Sequence, residues 1–122
     1  MHHGKNMRRG KMIAQGAHAA TMCFIELLLT SKSELSDELW LERASEVADW
    51  VNSGMAKICL YVKTDEELLD LWQKANDAGL EAHQIVDSGH TEFGMVPTLT
   101  CIAIGPNLSE EIDKITGHLP LL

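Results

Sequence analysis

The sequence predicts an α/β fold, a three-layer α/β/α sandwich around a small mixed sheet. Apolar residues recur at helical spacing in several segments, whereas three short segments are almost continuously apolar and rich in β-formers. The two kinds of segment follow one another as helix, helix, strand, helix, strand, strand, helix, an order typical of layered α/β domains. At 122 residues the chain fits a single domain, residues 1–122.

Two helices are predicted in the N-terminal half. The first, Arg9–Thr30, is rich in glycine and alanine at its start and apolar from Met22 to Leu29, so we expect it to be mostly enclosed. The second, Asp37–Asn52, repeats apolar side chains at three- and four-residue steps and is followed by turn-forming residues. A polar turn is predicted between the two helices, over residues 30–36.

Three strands and two helices are predicted in the rest of the chain. The strands are expected over Lys57–Lys63, Glu81–Asp87 and Leu99–Gly105. The first of them is a continuous apolar run between two lysines, as in a strand that is buried on both faces. Thr64 and Glu67 have capping-box spacing, and so do Asn107 and Glu110, so each pair is expected to open a helix.

The composition excludes several classes of protein. No apolar run approaches the roughly 20 residues of a membrane helix, and the polar start of the chain is not a secretory signal. The three cysteines are widely spaced and lie among apolar neighbours, so we interpret them as buried thiols in a reducing compartment. The six histidines are scattered, which gives no support for a metal site. Motifs for a nucleotide-phosphate loop or a serine-hydrolase elbow are absent.

Charge is distributed unevenly along the chain. The formal net charge is −8, yet the first eleven residues carry +4, so the rest of the chain carries −12. The basic residues of that start are Lys5, Arg8, Arg9 and Lys11. An acidic body with one basic edge can meet a phosphate backbone at that edge, although a basic terminus that is only solvated would look the same.

One group of polar residues lies on the first predicted helix. Lys11, Gln15 and His18 are spaced i, i+4 and i+7, which puts them on one helix face among glycines and alanines. An ordinary solvent-facing stripe would show the same spacing. The enclosure expected for this helix favours a functional interpretation.

Two further groups lie where strands begin or end. Residues 87–91, Asp-Ser-Gly-His-Thr, follow a predicted strand, and loops at strand ends often carry the chemistry of α/β folds. A plain turn would use the same residue types. Thr98 and Thr100 alternate at the start of the last strand, so their hydroxyls share a face, although threonine is also favoured in strands for its shape.

Together these groups resemble the type 2 peptidyl-tRNA hydrolases, the archaeal and eukaryotic type. The matching stretches are Met7–Ala19 (MRRGKMIAQGAHA), Asp87–Glu92 (DSGHTE), Pro97–Pro106 (PTLTCIAIGP) and Ile112–Leu122 (IDKITGHLPLL). The resemblance covers nearly the whole chain. It implies a four-stranded mixed sheet flanked by helices, a cytoplasmic monomer or homodimer, a tRNA partner, and no metal or cofactor.

The resemblance also assigns site residues. The family's functional lysine falls on Lys11, its D-x-G-x-T motif on Asp87 and Thr91, and the first threonine of its T-x-T motif on Thr98. We expect these four residues to be catalytic. Substrate binding is expected from Gln15, His18, Arg8 and Arg9.

The chain departs from the family pattern at three places, one of them the loop Phe93–Val96, which differs from the more usual proline-glycine version and is one residue longer. Glu92 stands where the family usually has glutamine. The family's first strand would precede Met7, and residues 1–6 show no strand character, so we expect them to be disordered or a truncated start. Either a β-rich segment lies upstream, or the sheet fills the gap by rearrangement or self-association.

The expected activity is hydrolysis of the ester that joins a peptide to its tRNA. Asp87 would orient the water or act as general base, Lys11 would stabilise developing negative charge or hold the terminal phosphates, and the threonines would position water or the ribose. One alternative is a non-catalytic tRNA- or protein-binding member of the same fold, with Trp40 and Trp50 as a contact surface. Another is hydrolysis of a different ester or amide at the same site.

Overall fold

The described part of the chain forms four helices and one regular two-stranded sheet. The structure is a computed structural model that describes residues 1–29 and 36–122, with Leu27 and Leu28 described by their backbone alone. The elements are α1 (Arg9–Leu29), α2 (Asp37–Asn52), α3 (Asp65–Asp77), β1 (Ala82–Asp87), β2 (Thr98–Ile104) and α4 (Ser109–Thr116). The predicted α/β class is confirmed. The turn predicted over residues 30–36 lies, except for Ser36, outside the described residues.

β1 and β2 form an antiparallel pair in which Ala82 lies opposite Ile104. The register shifts between Ile85, opposite Cys101, and Val86, opposite Leu99. Thr100 is therefore the extra residue of a β-bulge, a feature that re-aims side chains next to it.

The first predicted strand, Lys57–Lys63, is wrong as a regular strand. Leu60 and Val62 form only isolated bridges, an antiparallel one to Leu121 and a parallel one to His2. The neighbours on both sides are short terminal segments, so the hydrogen bonds do not continue into a ladder. The regular sheet is a two-stranded antiparallel pair, and the expected mixed sheet is represented only by these isolated bridges, one parallel and one antiparallel.

Residues 1–3 lie in the sheet layer rather than being disordered as expected. The His2 amide donates to the Thr100 carbonyl at 2.8 Å, and the His3 amide donates to the Val62 carbonyl at 2.8 Å. On the same side, the Val62 amide donates to the Met1 carbonyl at 3.1 Å. Backbone groups of two neighbouring segments hold this segment, so its place does not depend on the strand propensity of its side chains.

One predicted helix cap is confirmed and the other is wrong. Thr64 and Glu67 form a reciprocal capping box at the start of α3. α4 instead begins after Leu108, with no side-chain cap. Asn107 uses its amide elsewhere, because Oδ1 accepts from the Glu81 amide at 2.9 Å and Nδ2 donates to Glu46 at 2.8 Å.

The core lies on both sides of the strands. One cluster joins α3 and α4 to the sheet through Leu68, Leu71, Ala75, Ile115 and Val62. A second, smaller cluster joins α1 to the strands through Ala19, Ile85 and Cys101. The helix faces therefore cover the sheet from two sides and hold the ends of β1 and β2 next to α1.

α1 is less enclosed than expected. Ile13 and Leu29 are 74% and 72% exposed, and a Cβ added at Gly10 or Gly16 would meet nothing within 4 Å. Gly10 and Gly16 are thus not used for close packing, whereas Ala19 is buried against the strands. α1 buries one face and leaves the rest to solvent. None of the described helices is long and apolar enough to cross a membrane.

Candidate active site

Polar side chains from α1, β1 and β2 meet at the end of β1. The group, called here the Lys11–Asp87 cluster, consists of Lys11, Gln15, Asp87, Thr91 and Thr100. Helical spacing puts Lys11 and Gln15 one turn apart on the same face of α1. Asp87 is the last residue of β1, so the register of the sheet fixes its distance from the helix.

Asp87 is the centre of the cluster. Its Oδ1 accepts from Lys11 Nζ at 2.7 Å and from Gln15 Nε2 at 3.1 Å, and its Oδ2 accepts from the Gly89 amide at 2.9 Å. The Lys11 and Asp87 side chains are 13% and 11% exposed. The hydrogen bond from Lys11 is the largest influence that lowers the pKa of Asp87, and the Gly89 amide and Gln15 act in the same direction. The carboxylate is therefore ionised at neutral pH.

Lys11 links the carboxylate to the loop that follows β1. Its Nζ also donates to Thr91 Oγ1 at 2.9 Å and lies 5.7 Å from the centroid of the Phe93 ring. Gly89 shapes this loop at a φ of 84°, and a Cβ there would approach the Val96 carbonyl oxygen to 2.2 Å. A side chain at position 89 would thus push the loop, and with it Thr91, away from Lys11.

Gln15 and Thr100 anchor the cluster in the core. Gln15 is 1% exposed and Thr100 is fully buried. Thr100 Oγ1 donates to Gln15 Oε1 at 2.6 Å, which directs the Gln15 amide nitrogen toward Asp87. The chain of contacts therefore runs from a buried hydroxyl through an amide to a carboxylate that is only 11% exposed.

Replacing Thr100 by valine is expected to lower the free energy of unfolding by about 1 to 3 kcal/mol, because the buried Gln15 Oε1 loses its hydrogen-bond donor. Urea unfolding of purified protein would measure this. The matched control is Thr100→Ser, which keeps the hydroxyl and should lose less. A valine variant as stable as the wild type would mean that this hydrogen bond does not stabilise the fold.

The chain matches a family model described as peptidyl-tRNA hydrolase PTH2 over residues 3–122. It belongs to the PTH2 family. Peptidyl-tRNA hydrolase of Methanocaldococcus jannaschii is 42% identical over 116 residues, which are 95% of this chain and 90% of that protein. The enzyme of the same name from Sulfolobus acidocaldarius is 43% identical over 118 residues, 96% of this chain and 91% of that protein. The Methanopyrus kandleri enzyme is 38% identical over 116 residues, 95% and 88% of the two chains.

The PTH2 family member brings together some of the residues expected from its sequence and leaves others apart. Lys11, Gln15, Asp87 and Thr91 are in direct contact. The Thr98 hydroxyl donates to the Val96 carbonyl at 2.8 Å and, in the described structure, makes no hydrogen bond to the cluster. Sequence reasoning passed over Thr100 as a site residue, although its alternation with Thr98 was the available signal.

A groove begins at the cluster and runs between α1 and β1. Its volume is about 370 Å³. The α1 side is formed by Gln15, His18, Thr21, Met22 and Ile25, and the β1 side by residues 84–88. His18, which was expected to bind substrate, lies on this wall and makes no hydrogen bond or ion pair among the described residues.

The basic residues around the start of α1 differ in their availability. Lys5 Nζ is 2.6 Å from Asp65 Oδ1, and its side chain is only 17% exposed. Arg8 donates from Nε to Glu92 Oε1 and from its amide to Glu92 Oε2, and its side chain is 82% exposed. The Arg8 hydrogen bond lowers the pKa of Glu92. Arg9 is exposed, with no ion pair within the described part of the chain. Arg8 and Arg9 are thus the cations that solvent can reach.

Proposed function

We propose that this PTH2 family member hydrolyses the ester bond between a peptide and the terminal ribose of its tRNA. The observation that carries the proposal is the Lys11–Asp87 cluster, where an ammonium and a carboxylate 2.7 Å apart are held at the surface beside a groove. Ester hydrolysis needs a positioned water and a positive partner for the oxyanion that forms. The relatives named peptidyl-tRNA hydrolase support the choice of substrate.

The geometry supports separate roles for the two charged groups. A water attacks the ester carbonyl carbon, the carbonyl oxygen becomes negative, and the bond to the ribose oxygen then breaks. Lys11 Nζ, already donating to Asp87 and Thr91, carries the positive charge that stabilises this oxyanion. The Thr91 hydroxyl accepts from Lys11, so its own proton is free to bond a water or a ribose oxygen.

Asp87 is better suited to orient a water molecule than to remove a proton from it. A carboxylate with a lowered pKa is a weak base at neutral pH. Its Oδ2 accepts only from the Gly89 amide among the described residues, and a carboxylate oxygen has a second lone pair. A water donating to that lone pair would be fixed beside Lys11. Thr98 remains a proposal as a residue that positions the ribose.

Turnover of a purified peptidyl-tRNA tests the proposal directly. The protein is expected to release free tRNA and peptide in the absence of any added metal or cofactor. Binding of peptidyl-tRNA without release would favour the non-catalytic alternative. Hydrolysis of simple esters but not of peptidyl-tRNA would instead favour a different ester substrate.

The cell compartment is also part of the proposal. Cys23, Cys59 and Cys101 are all free, which suits a reducing compartment such as the cytoplasm. Cys23 and Cys101 are buried as expected, and burial raises the pKa of Cys23 to about 11. Cys59 is exposed, contrary to its apolar neighbourhood in the sequence, because the segment around it forms only isolated bridges.

Reversing Arg8 and Arg9 to glutamate is expected to weaken tRNA binding and flatten its salt dependence. Each phosphate contact contributes about 0.7 to 0.9 to the slope of log K against log salt concentration, so the loss of two contacts should reduce the slope by roughly 1.5. Binding of deacylated tRNA at several salt concentrations measures this slope.

The matched control for these reversals is Lys74→Glu with Lys114→Glu. Both lysines are exposed, on α3 and α4, and their reversal changes the net charge by the same amount. If the control flattens the slope as much as the arginine variant does, the effect comes from overall charge. An unchanged slope in the arginine variant would mean that Arg8 and Arg9 are only solvated.

A further inference from the structure

We propose that the groove between α1 and β1 binds the peptide half of peptidyl-tRNA, as a short extended segment beside the open edge of β1. This inference rests on the proposed function and adds the place and chemistry of the acyl subsite. Three independent features of the groove support it: the change of side-chain chemistry along α1, the free backbone edge of β1, and a described lining that contains no lysine or arginine.

The side chains change in character along one face of α1. The row of side chains on this face begins at Arg8, whose carbonyl accepts a hydrogen bond from the Met12 amide in the first turn. Lys11, Gln15, His18, Met22 and Ile25 continue it at steps of three and four residues, which keeps them on one face. The row is thus basic at its start, polar at the cluster, and apolar in the groove.

The tRNA and the peptide extend from the ester in opposite directions. The ribose side carries phosphates and needs cations, whereas the acyl side is a peptide. With the ester at the Lys11–Asp87 cluster, the tRNA fits the end of the row that carries Arg8 and Arg9. Among the described residues no lysine or arginine lines the groove, and the chain beyond the first eleven residues is acidic, so phosphates are disfavoured there. The peptide is the half that remains for the groove.

The edge of β1 offers backbone groups to an extended peptide. In the described part of the chain β1 pairs only with β2, so its other edge is open. The Gly105 amide donates to the Glu81 carbonyl, and hydrogen-bonded pairs alternate along an antiparallel ladder. The backbone N–H and C=O of Gln84 therefore point away from β2, and Gln84 lines the groove.

Recognition through the backbone suits a substrate whose peptide sequence varies. Main-chain hydrogen bonds to a strand edge give affinity without selecting side chains. The strand from Gln84 to Asp87 covers about 10 Å at roughly 3.3 Å per residue, which matches about three residues of an extended peptide. Apolar contact would come from Ile25 and Val86, whose side chains are 40% and 56% exposed. Val86 lies opposite Leu99, which packs in the α3–α4 cluster, so its side chain is on the face of β1 away from α1. A peptide paired along the edge presents alternate side chains to both faces and would cover both residues.

The test compares substrates that differ only in the acyl group. Acetyl-trileucyl-tRNA fills the groove in this proposal, whereas acetyl-glycyl-tRNA does not reach its apolar wall. Ile25→Ser and Val86→Ser should each raise KM for the trileucyl substrate roughly tenfold, the scale of losing about two buried methylenes. Neither variant should change KM for the glycyl substrate or the affinity for deacylated tRNA by more than about twofold. The matched control is Leu69→Ser on α3, where the leucine is 43% exposed.

A second substrate tests the strand edge itself. Wild-type protein should show a raised KM for acetyl-trileucyl-tRNA that is N-methylated at the middle residue, because the methyl group removes a backbone donor. Equal KM values in wild type and both serine variants would overturn the inference while leaving the proposed function intact. If either serine variant binds deacylated tRNA more weakly, the inference is overturned, and the groove binds the terminal adenosine of the tRNA instead of the peptide. A wild-type protein that hydrolyses neither substrate would refute the proposed function instead.

Discussion

Replacing Lys11 by alanine is expected to lower kcat/KM for peptidyl-tRNA by at least about 100-fold, the usual scale for losing an oxyanion partner. Lys11 is the only cation that contacts the cluster in the described structure, and its Nζ bridges Asp87 and Thr91. Alanine removes the positive charge next to the ester and frees the Thr91 loop from α1. The assay is the release of free tRNA under conditions below KM.

Two further variants separate the charge of Lys11 from its geometry. Lys11→Arg keeps the positive charge but replaces a compact ammonium with a planar fork, so we expect partial activity. Lys74→Ala removes an exposed lysine whose partner is Asp70, and it should leave activity unchanged. Full activity in a correctly folded Lys11→Ala protein would remove Lys11 from the mechanism.

The parts of the fold that depend on local sequence could be predicted. α2 begins and ends where apolar periodicity placed it, and the Thr64 capping box formed because its two partners are only three residues apart. Asn107 has the same spacing to Glu110, yet its side chain bonds Glu81 and Glu46 instead. Those partners are distant in sequence, so local spacing could not show that they would compete for the amide.

The sheet was harder to predict because pairing is a property of neighbours. Residues 57–63 have the composition of a buried strand, but the segments beside them are short and permit only isolated bridges. Residues 1–3 lack strand formers, but they lie where two backbones offer hydrogen-bond partners. In both cases tertiary context outweighed the propensity of the side chains.

In the candidate site, too, some features follow from local sequence and others depend on tertiary contacts. Helical period put Lys11 and Gln15 on one face of α1, and the end of a strand marked Asp87. Only the family resemblance indicated that these residues belong to one site, where they are in contact. The choice between Thr98 and Thr100 depended on the bulge opposite Ile85 and Val86, which no pattern in the sequence reveals. The groove along β1 could not be predicted from the sequence, since its walls come from two elements separated by about 50 residues of chain.

Replacing Asp87 by asparagine should reduce kcat/KM at least about 100-fold, the scale of losing a group that positions a water or transfers its proton. The carboxylate receives three donors, from Lys11, Gln15 and Gly89. An amide has one oxygen, so at least one of these donors would face an NH₂ group, and Lys11 would lose its counter-charge. The control is Asp77→Asn, an exposed aspartate that accepts from Gln73.

The same carboxylate makes a prediction about pH. The pKa of Asp87 is lower in the folded protein than in the unfolded chain. Ionised Asp87 therefore stabilises the fold fully above the ordinary aspartate pKa of about 3.9. This stability is lost as the pH falls through the lower pKa of the folded protein. Between pH 5 and 8 the gap in unfolding free energy between wild type and Asp87→Asn should therefore stay constant, and Asp87 should add no acid limb to kcat/KM. In Lys11→Ala the largest influence on the pKa of Asp87 is gone, so its titration should move upward toward the ordinary value. A wild-type acid limb centred above pH 5 that disappears in Asp87→Asn would show instead that Asp87 acts as a general base with a raised pKa.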